Sequence, residues 1–179
     1  NTNGQIMAWF LDEYMQLTGK MDYGTFTGKP LEIGGSQGRT QATGQGAVYV
    51  LQELAERKGL KPEETTIAVQ GFGNVGYWFA KLAQEAGFKI VAVSDSKGGV
   101  FSGEGLDIDI VMETKRQTGS VTKFDQKSVS QTSNEELLEL EVDIVVPSAL
   151  ENVITKENAA NIKAKYVIET ANGPTTPEA

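Results

Sequence analysis

Neither cysteine nor histidine occurs among the 179 residues. The first absence excludes disulfides and thiolate metal sites. The second removes the commonest general base and the commonest metal ligand. Any chemistry must therefore run on carboxylates, lysine, tyrosine, hydroxyls or a bound cofactor. A basic surface is missing as well. The net charge is −8, whereas nucleic acids and anionic membranes require clustered Lys and Arg. No apolar run approaches the ~18 residues that cross a bilayer, and no signal-peptide pattern opens the chain, so a soluble cytoplasmic protein is expected. With 39% hydrophobic and 22% charged residues, the length suits one domain with an appendage and a real core.

What is present is an alternation of helical and strand patterns. From Asn1 to Leu17, Ile6, Phe10, Tyr14 and Leu17 recur at helical spacing, with Thr2 and Gln5 as a candidate capping box and Gly19 as the stop. Residues 20–38 are rich in glycine and read as a connector. A second helix is expected from Gln45, with Val48, Leu51, Leu54 and Ala55 on one face and Gly59 at its end. Five strands are expected after Pro62, over residues 65–70, 89–93, 121–124, 142–146 and 166–169. Helices are expected at 74–86, with Val75, Trp78, Phe79, Leu82 and Ala86 as its apolar stripe, and at 106–118, 135–140 and 156–162. Ser133 and Glu136 form a capping box for the third of these, and Thr155 caps the fourth. Such alternation implies right-handed βαβ crossovers and a doubly wound parallel sheet of Rossmann type. Residues 1–38 are then an N-terminal helix with its connector, and residues 39–179 are the sheet domain.

The stretch Ile67 to Gly76, IAVQGFGNVG, carries G-x-G-x-x-G between an apolar strand and a helix. In that context the motif predicts a dinucleotide site. Gly71 permits the tight turn, Gly73 lets the backbone approach a pyrophosphate, and Gly76 lets the helix pack on the sheet. The helix N-terminus offers N–H groups and a positive dipole end. Asp95 lies nineteen positions after Gly76, at the end of the next strand, where an acidic side chain accepts from a ribose hydroxyl. An Asp before Ser-Lys-Gly also caps a turn, so both readings of Asp95 stand. Ser96 and Lys97 tolerate a 2′-phosphate, so NAD is the expected cofactor with NADP still open. Three segments follow strands toward the same sheet edge, 94–99, 147–150 and 170–174, which brings Ser148, Ala149 and Asn172 into play for the nicotinamide half. No metal site is expected.

Several stretches together resemble the glutamate dehydrogenases. They are Thr27 to Ser36 (TGKPLEIGGS), Gly38 to Gly44 (GRTQATG), Val69 to Gly76 (VQGFGNVG), Ala92 to Gly99 (AVSDSKGG), Pro147 to Asn152 (PSALEN) and Ala171 to Ala179 (ANGPTTPEA). The resemblance covers essentially the whole chain, in order. It implies the NAD(P)-binding part of an enzyme that interconverts L-glutamate with 2-oxoglutarate and ammonia. By the family pattern Thr43 and Asn74 hold the nicotinamide carboxamide, and Gly71, Gly73 and Gly76 cradle the pyrophosphate. Asp95 faces the adenosine ribose, and Asn172 lies near the nicotinamide ribose and substrate. The cofactor-binding set also takes in Arg39, Phe72, Val75, Ser96, Ser148 and Ala149. Ser148 stands where a cysteine is frequent, and Gln41 where an acidic residue is frequent. The family's catalytic lysines and aspartate have no counterpart here, so the resemblance implies a fragment, inactive alone, that starts just after the aspartate and stops before the closing helices. It also implies homohexamers for the complete enzyme. The alternatives are another amino-acid dehydrogenase, of leucine, phenylalanine or valine, and a nucleotide-sensing module without a reaction.

Overall fold

The computed structural model describes residues 2–179, which divide into one unit running to Ala42 and a second from Thr43 to Ala179. In the first unit, helix α1 spans Gly4–Thr18. The expected start at Asn1 lies outside the described residues, and the cap is Asn3 rather than Thr2. The Asn3 side chain accepts from the Ile6 amide at 3.0 Å, which satisfies one of the helix's unpaired N–H groups. Gly19 ends the helix at φ 66°, donating its N–H to the Met15 carbonyl. The connector folds back within this unit: Phe26 sets its ring 5.9 Å from those of both Phe10 and Tyr14. A single 3₁₀ turn, Leu31–Ile33, is its one helical piece among the described residues.

Helix α2 spans Arg39–Lys58, six residues earlier at its start than Gln45. Gly44 explains the difference. It lies on the buried face of the helix, where a Cβ would stand 2.7 Å from the Phe79 amide nitrogen and 2.8 Å from the Trp78 Cβ. The glycine is there for close helix packing, and the helix runs through it.

The second unit is built on a six-stranded sheet. Its parallel part comprises β1 (Thr66–Gln70), β2 (Lys89–Asp95), β5 (Ile144–Pro147) and β6 (Tyr166–Val167). These are four of the five expected strands. The remaining two are antiparallel and were not expected: β3 (Gly98–Phe101) and β4 (Ser130–Thr132), giving the order β4-β3-β2-β1-β5-β6. Chain reversal at Ser96-Lys97 makes a hairpin, because Gly98 adopts φ 125° and the Asp95 side chain accepts from the Lys97 amide. The fifth expected strand, 121–124, is instead a 3₁₀ turn, Val121–Lys123, whose first amide donates to Asp95 and whose Ser120 cap accepts from the Thr122 amide.

Helices α3 (Asn74–Glu85), α4 (Ile108–Thr118) and α5 (Asn134–Leu138) connect the strands. The Ser133–Glu136 capping box of α5 is present in both directions. The expected helix at 156–162 is only a 3₁₀ turn, Ala159–Asn161. There the Thr155 amide donates to Asn158 Oδ1, and the Thr155 hydroxyl accepts from the Glu157 amide at the head of a turn and not of an α-helix.

Core packing follows the alternation of strand side chains. Ile67 and Val69 of β1 and Ile144 and Val146 of β5 face one core with Val48, Leu51 and Phe79. Ala68 turns to the other face, against Leu137 and Val142, while Val145 meets Leu138 and Ile154. Each fully buried large side chain contributes roughly 1.5–3 kcal/mol. The buried positions of α3 are Gly76, Phe79, Ala80 and Ala83. Val75, Trp78, Leu82 and Ala86 are half-buried beside them, so the true inner face is rotated from the expected stripe. Small residues there let α3 approach the sheet closely. No described helix is long and apolar enough to cross a membrane.

Candidate cofactor cleft

The chain leaves β1 toward β2 on one side and β5 toward β6 on the other, which opens a crevice at their carboxyl ends. Three backbone bonds tie this edge together. The Gly71 amide donates to the Ser94 carbonyl at 3.0 Å, the Ser148 amide to the Gln70 carbonyl at 2.8 Å, and the Thr170 amide to the Pro147 carbonyl at 3.1 Å.

The three glycines of the loop do different work. Gly71 sits at φ 96°, and a Cβ on it would stand 2.6 Å from the Ala149 Cβ. A Cβ on Gly76 would collide with the Gly71 carbonyl oxygen. The turn and the helix packing therefore demand both of these residues. Gly73 has φ −86°, an ordinary value, and nothing lies within 4 Å of where its Cβ would be. It is the N-cap residue of α3, a position where Ser or Asn would stabilise the helix better, and no side chain caps that end. The fold does not ask for a glycine at 73. What the glycine provides is bare backbone at the positive end of a twelve-residue helix.

Across the crevice stands Asp95, 8% exposed. Its Oδ1 accepts from the Lys97 amide (2.9 Å) and the Ser120 hydroxyl (3.1 Å), and its Oδ2 accepts from the Val121 amide (2.8 Å). Lys115 Nζ lies 3.7 Å from Oδ2. Burial works to raise the pKa of this carboxyl. The donors from Lys97, Val121 and Ser120 and the Lys115 charge outweigh it and hold the group below the ordinary carboxylate range. The turn-capping reading of Asp95 is thus realised. A carboxylate offers about four lone-pair sites, so what remains for a ligand is one site on Oδ2, shared with Lys115.

Gly71, Phe72, Gly73, Asp95, Ser96, Ser148 and Ala149 all line one cleft of about 620 Å³. Asn74, Val75 and Gly76 form the first turn of α3 and do not line it. Thr43 is exposed beside Gly44, where α2 meets α3, and Asn172 is exposed in the turn after β6; neither lines the cleft. Arg39 belongs to the first unit. Ser148 and Ala149, expected at the nicotinamide half, line the same cleft as Asp95 and Ser96. The Ser148 hydroxyl donates to the Val146 carbonyl and accepts from Thr170 Oγ1 at 2.6 Å.

Sequence reasoning missed Gln70, Lys115 and Asn134, all on the cleft lining. Lys115 reaches over from α4, donates to the Phe72 carbonyl at 2.8 Å and so braces the glycine loop. Asn134 donates to the Asp95 carbonyl and accepts from the Ser94 hydroxyl. Nothing local marks the last two. Gln70 carried a signal, since it is a polar residue closing an apolar strand. No group of acidic side chains suited to a metal occurs among the described residues.

Residues 34–179 match the family model described as Glutamate/Leucine/Phenylalanine/Valine dehydrogenase. The chain is 48% identical over 177 residues to the cryptic catabolic NAD-specific glutamate dehydrogenase of Bacillus subtilis, covering 99% of this chain and 41% of that protein. To the NADP-specific glutamate dehydrogenase of Saccharolobus shibatae it is 46% identical over 179 residues, covering 100% and 42%. The crystal structure of the hetero-hexameric glutamate dehydrogenase from Thermus thermophilus superposes with a TM-score of 0.89 at 38% identity, over 98% of this chain and 41% of that one. The chain thus spans about two fifths of the length of these relatives.

Proposed function

This chain belongs to the glutamate/leucine/phenylalanine/valine dehydrogenase family, and from that premise we propose that it is the dinucleotide-binding part of a glutamate dehydrogenase. Residues 39–179 hold the cofactor, and residues 1–38 are a helix and hinge belonging to the substrate side. Gly73 carries the reading, because a fold that needs Gly71 and Gly76 for packing has no such need at 73. The cleft fits the group: the open space over Gly73 admits a pyrophosphate to the end of α3. A bound nicotinamide dinucleotide supplies the hydride acceptor for oxidation of an amino acid. Lys115 holds the Phe72 peptide in place and adds a cation beside the phosphates. Asp95 and Ser96 meet the adenosine ribose, and Ala149, Leu150 and Val153 close one wall against water.

NAD is the proposed cofactor. Asp95 is ionised at neutral pH, and its charge opposes a 2′-phosphate at that end of the cleft. Among the relatives both NAD- and NADP-specific enzymes stand at similar identity, so the choice rests on Asp95. The cytoplasm is the proposed location, as the default for a chain of this composition, and a homohexamer is the proposed assembly of the complete enzyme, following the family resemblance.

Titration of the 179-residue chain with NADH, followed by nucleotide fluorescence, tests the cofactor assignment; a folded chain that binds no dinucleotide contradicts it. Joined to the substrate domain of a relative, the chain is expected to reduce NAD with L-glutamate. Binding without reduction in that chimera would favour the nucleotide-sensing alternative.

A further inference from the structure

Asparagine followed by glycine occurs twice, at Asn3-Gly4 and Asn172-Gly173, and the two pairs stand in opposite surroundings. Asn3 caps α1, its side-chain oxygen accepts from the Ile6 amide, and Gly4 is the first residue of that helix. The Asn172 side chain is exposed and makes no hydrogen bond among the described residues. Gly173 lies in a bend at φ 56°, with nothing within 4 Å of where its Cβ would be. Its amide has no acceptor among the described residues. A free asparagine side chain followed by an unshielded, unpaired amide is set for one reaction, which glycine favours because no Cβ covers its nitrogen. The deprotonated Gly173 nitrogen bonds to Asn172 Cγ, the side-chain amide leaves as ammonia, and a five-membered imide closes. Water then opens the ring at either carbonyl, giving aspartate or isoaspartate. In isoaspartate the main chain runs through the former side chain and is longer by one carbon.

The position of this pair gives the extra carbon its consequence. Before Asn172, the Thr170 and Ala171 amides both donate to the Pro147 carbonyl at 3.1 Å. After it, the Gly173 carbonyl accepts from the Asn152 amide (3.0 Å), and the Pro174 carbonyl accepts from Val153 (2.8 Å) and Ile154 (2.9 Å). Residues 170–174 are thus laced at both ends to residues 147–154, the segment that carries Ser148, Ala149, Leu150 and Val153 of the cleft. A carbon inserted between the two sets of bonds prevents all of them from keeping their geometry. We propose that Asn172 is a site of spontaneous conversion to isoaspartate and that the conversion unlaces this wall of the cleft.

The test ages the 179-residue chain in mildly alkaline buffer and follows both asparagines by mass spectrometry. Trypsin places them on separate peptides, 1–20 and 166–179, and fragmentation locates the converted residue and distinguishes isoaspartate from aspartate. Asn172 should convert at least about fivefold faster than Asn3, the factor set by the strength of one helix cap. The aged chain should melt about 2–4 °C lower than the fresh one, the shift for one lost hydrogen bond in a chain of this size. Asn172→Gln, aged alongside, should keep its own fresh melting temperature. Fresh Asn172→Asp carries the new charge without the extra carbon and should melt close to the fresh unaltered chain. Conversion at Asn172 no faster than at Asn3, or to aspartate alone, overturns the assignment of the site. An unchanged melting temperature after conversion, an equal decline in aged Asn172→Gln, or an equally low value in fresh Asn172→Asp overturns the unlacing of the wall. None of these readouts depends on what the cleft binds.

Discussion

The two walls of the cleft differ in how much of their chemistry the fold already uses. On the β2–β3 wall, Asp95 has both oxygens engaged, joining the hairpin amide of Lys97, the turn amide of Val121, the Ser120 hydroxyl and the Lys115 ammonium. On the loop wall, Gly73 borders empty space at a helix end that no side chain caps. The difference separates two kinds of importance. Residues whose chemistry is satisfied within the chain hold the cleft in shape, and their loss appears as instability. Residues whose chemistry is left over await something from outside, and their loss appears only when the ligand is added. The loop itself contains both kinds, since Gly71 and Gly76 are demanded by packing while Gly73 is not.

Gly76→Val should have the largest effect, because its side chain meets the Gly71 carbonyl, which is fixed by the β1 edge. Destabilisation of about 3 kcal/mol or more is expected, read as a shift in the urea midpoint. A midpoint close to that of the unaltered chain would show that the loop can relax, and the contrast between the glycines would lose its footing.

Asp95→Ala comes next. It strands the buried amide of Val121 and the buried hydroxyl of Ser120, and should cost about 2 kcal/mol at neutral pH. The folded pKa of Asp95 lies below its unfolded value. Its contribution is therefore complete above the unfolded pKa of about 4 and is lost as pH falls through the lower folded value. The gap in stability between Asp95→Ala and the unaltered chain should accordingly narrow in acid. A gap that stays constant from neutral pH into the acid limb would mean that the carboxylate charge plays no part in holding this wall.

How much of this was readable beforehand follows the same division. Local signals were read correctly where a residue's neighbours in sequence decide its role. Examples are Gly19 and Gly59 at helix ends, the Ser133–Glu136 box, and the apolar run of β1 leading into its glycine loop. Misreadings arose where distant contacts decide. The expected start of α2 at Gln45 falls short of Arg39 because Phe79 and Trp78, which need Gly44 small, are far along the chain. The strand Gly98–Phe101 hid inside a glycine-rich stretch whose pairing with Ser130–Thr132 is invisible locally. Val121 became a turn residue because Asp95 captures its amide. In the cleft, the G-x-G-x-x-G spacing and Asp95 were legible. Lys115 and Asn134 were not, since only the folded sheet edge brings α4 and α5 to the loop.

The central claim is that Gly73 serves a ligand and not the fold, and Gly73→Asn tests it most directly. Asn is the better N-cap residue at this φ, so the melting temperature of the ligand-free chain should stay the same or rise. The added side chain fills the space over the loop, so NADH affinity, titrated by nucleotide fluorescence on the same sample, should fall at least about tenfold. Unchanged affinity in the variant, or a lower melting temperature accompanying weaker binding, would contradict the account.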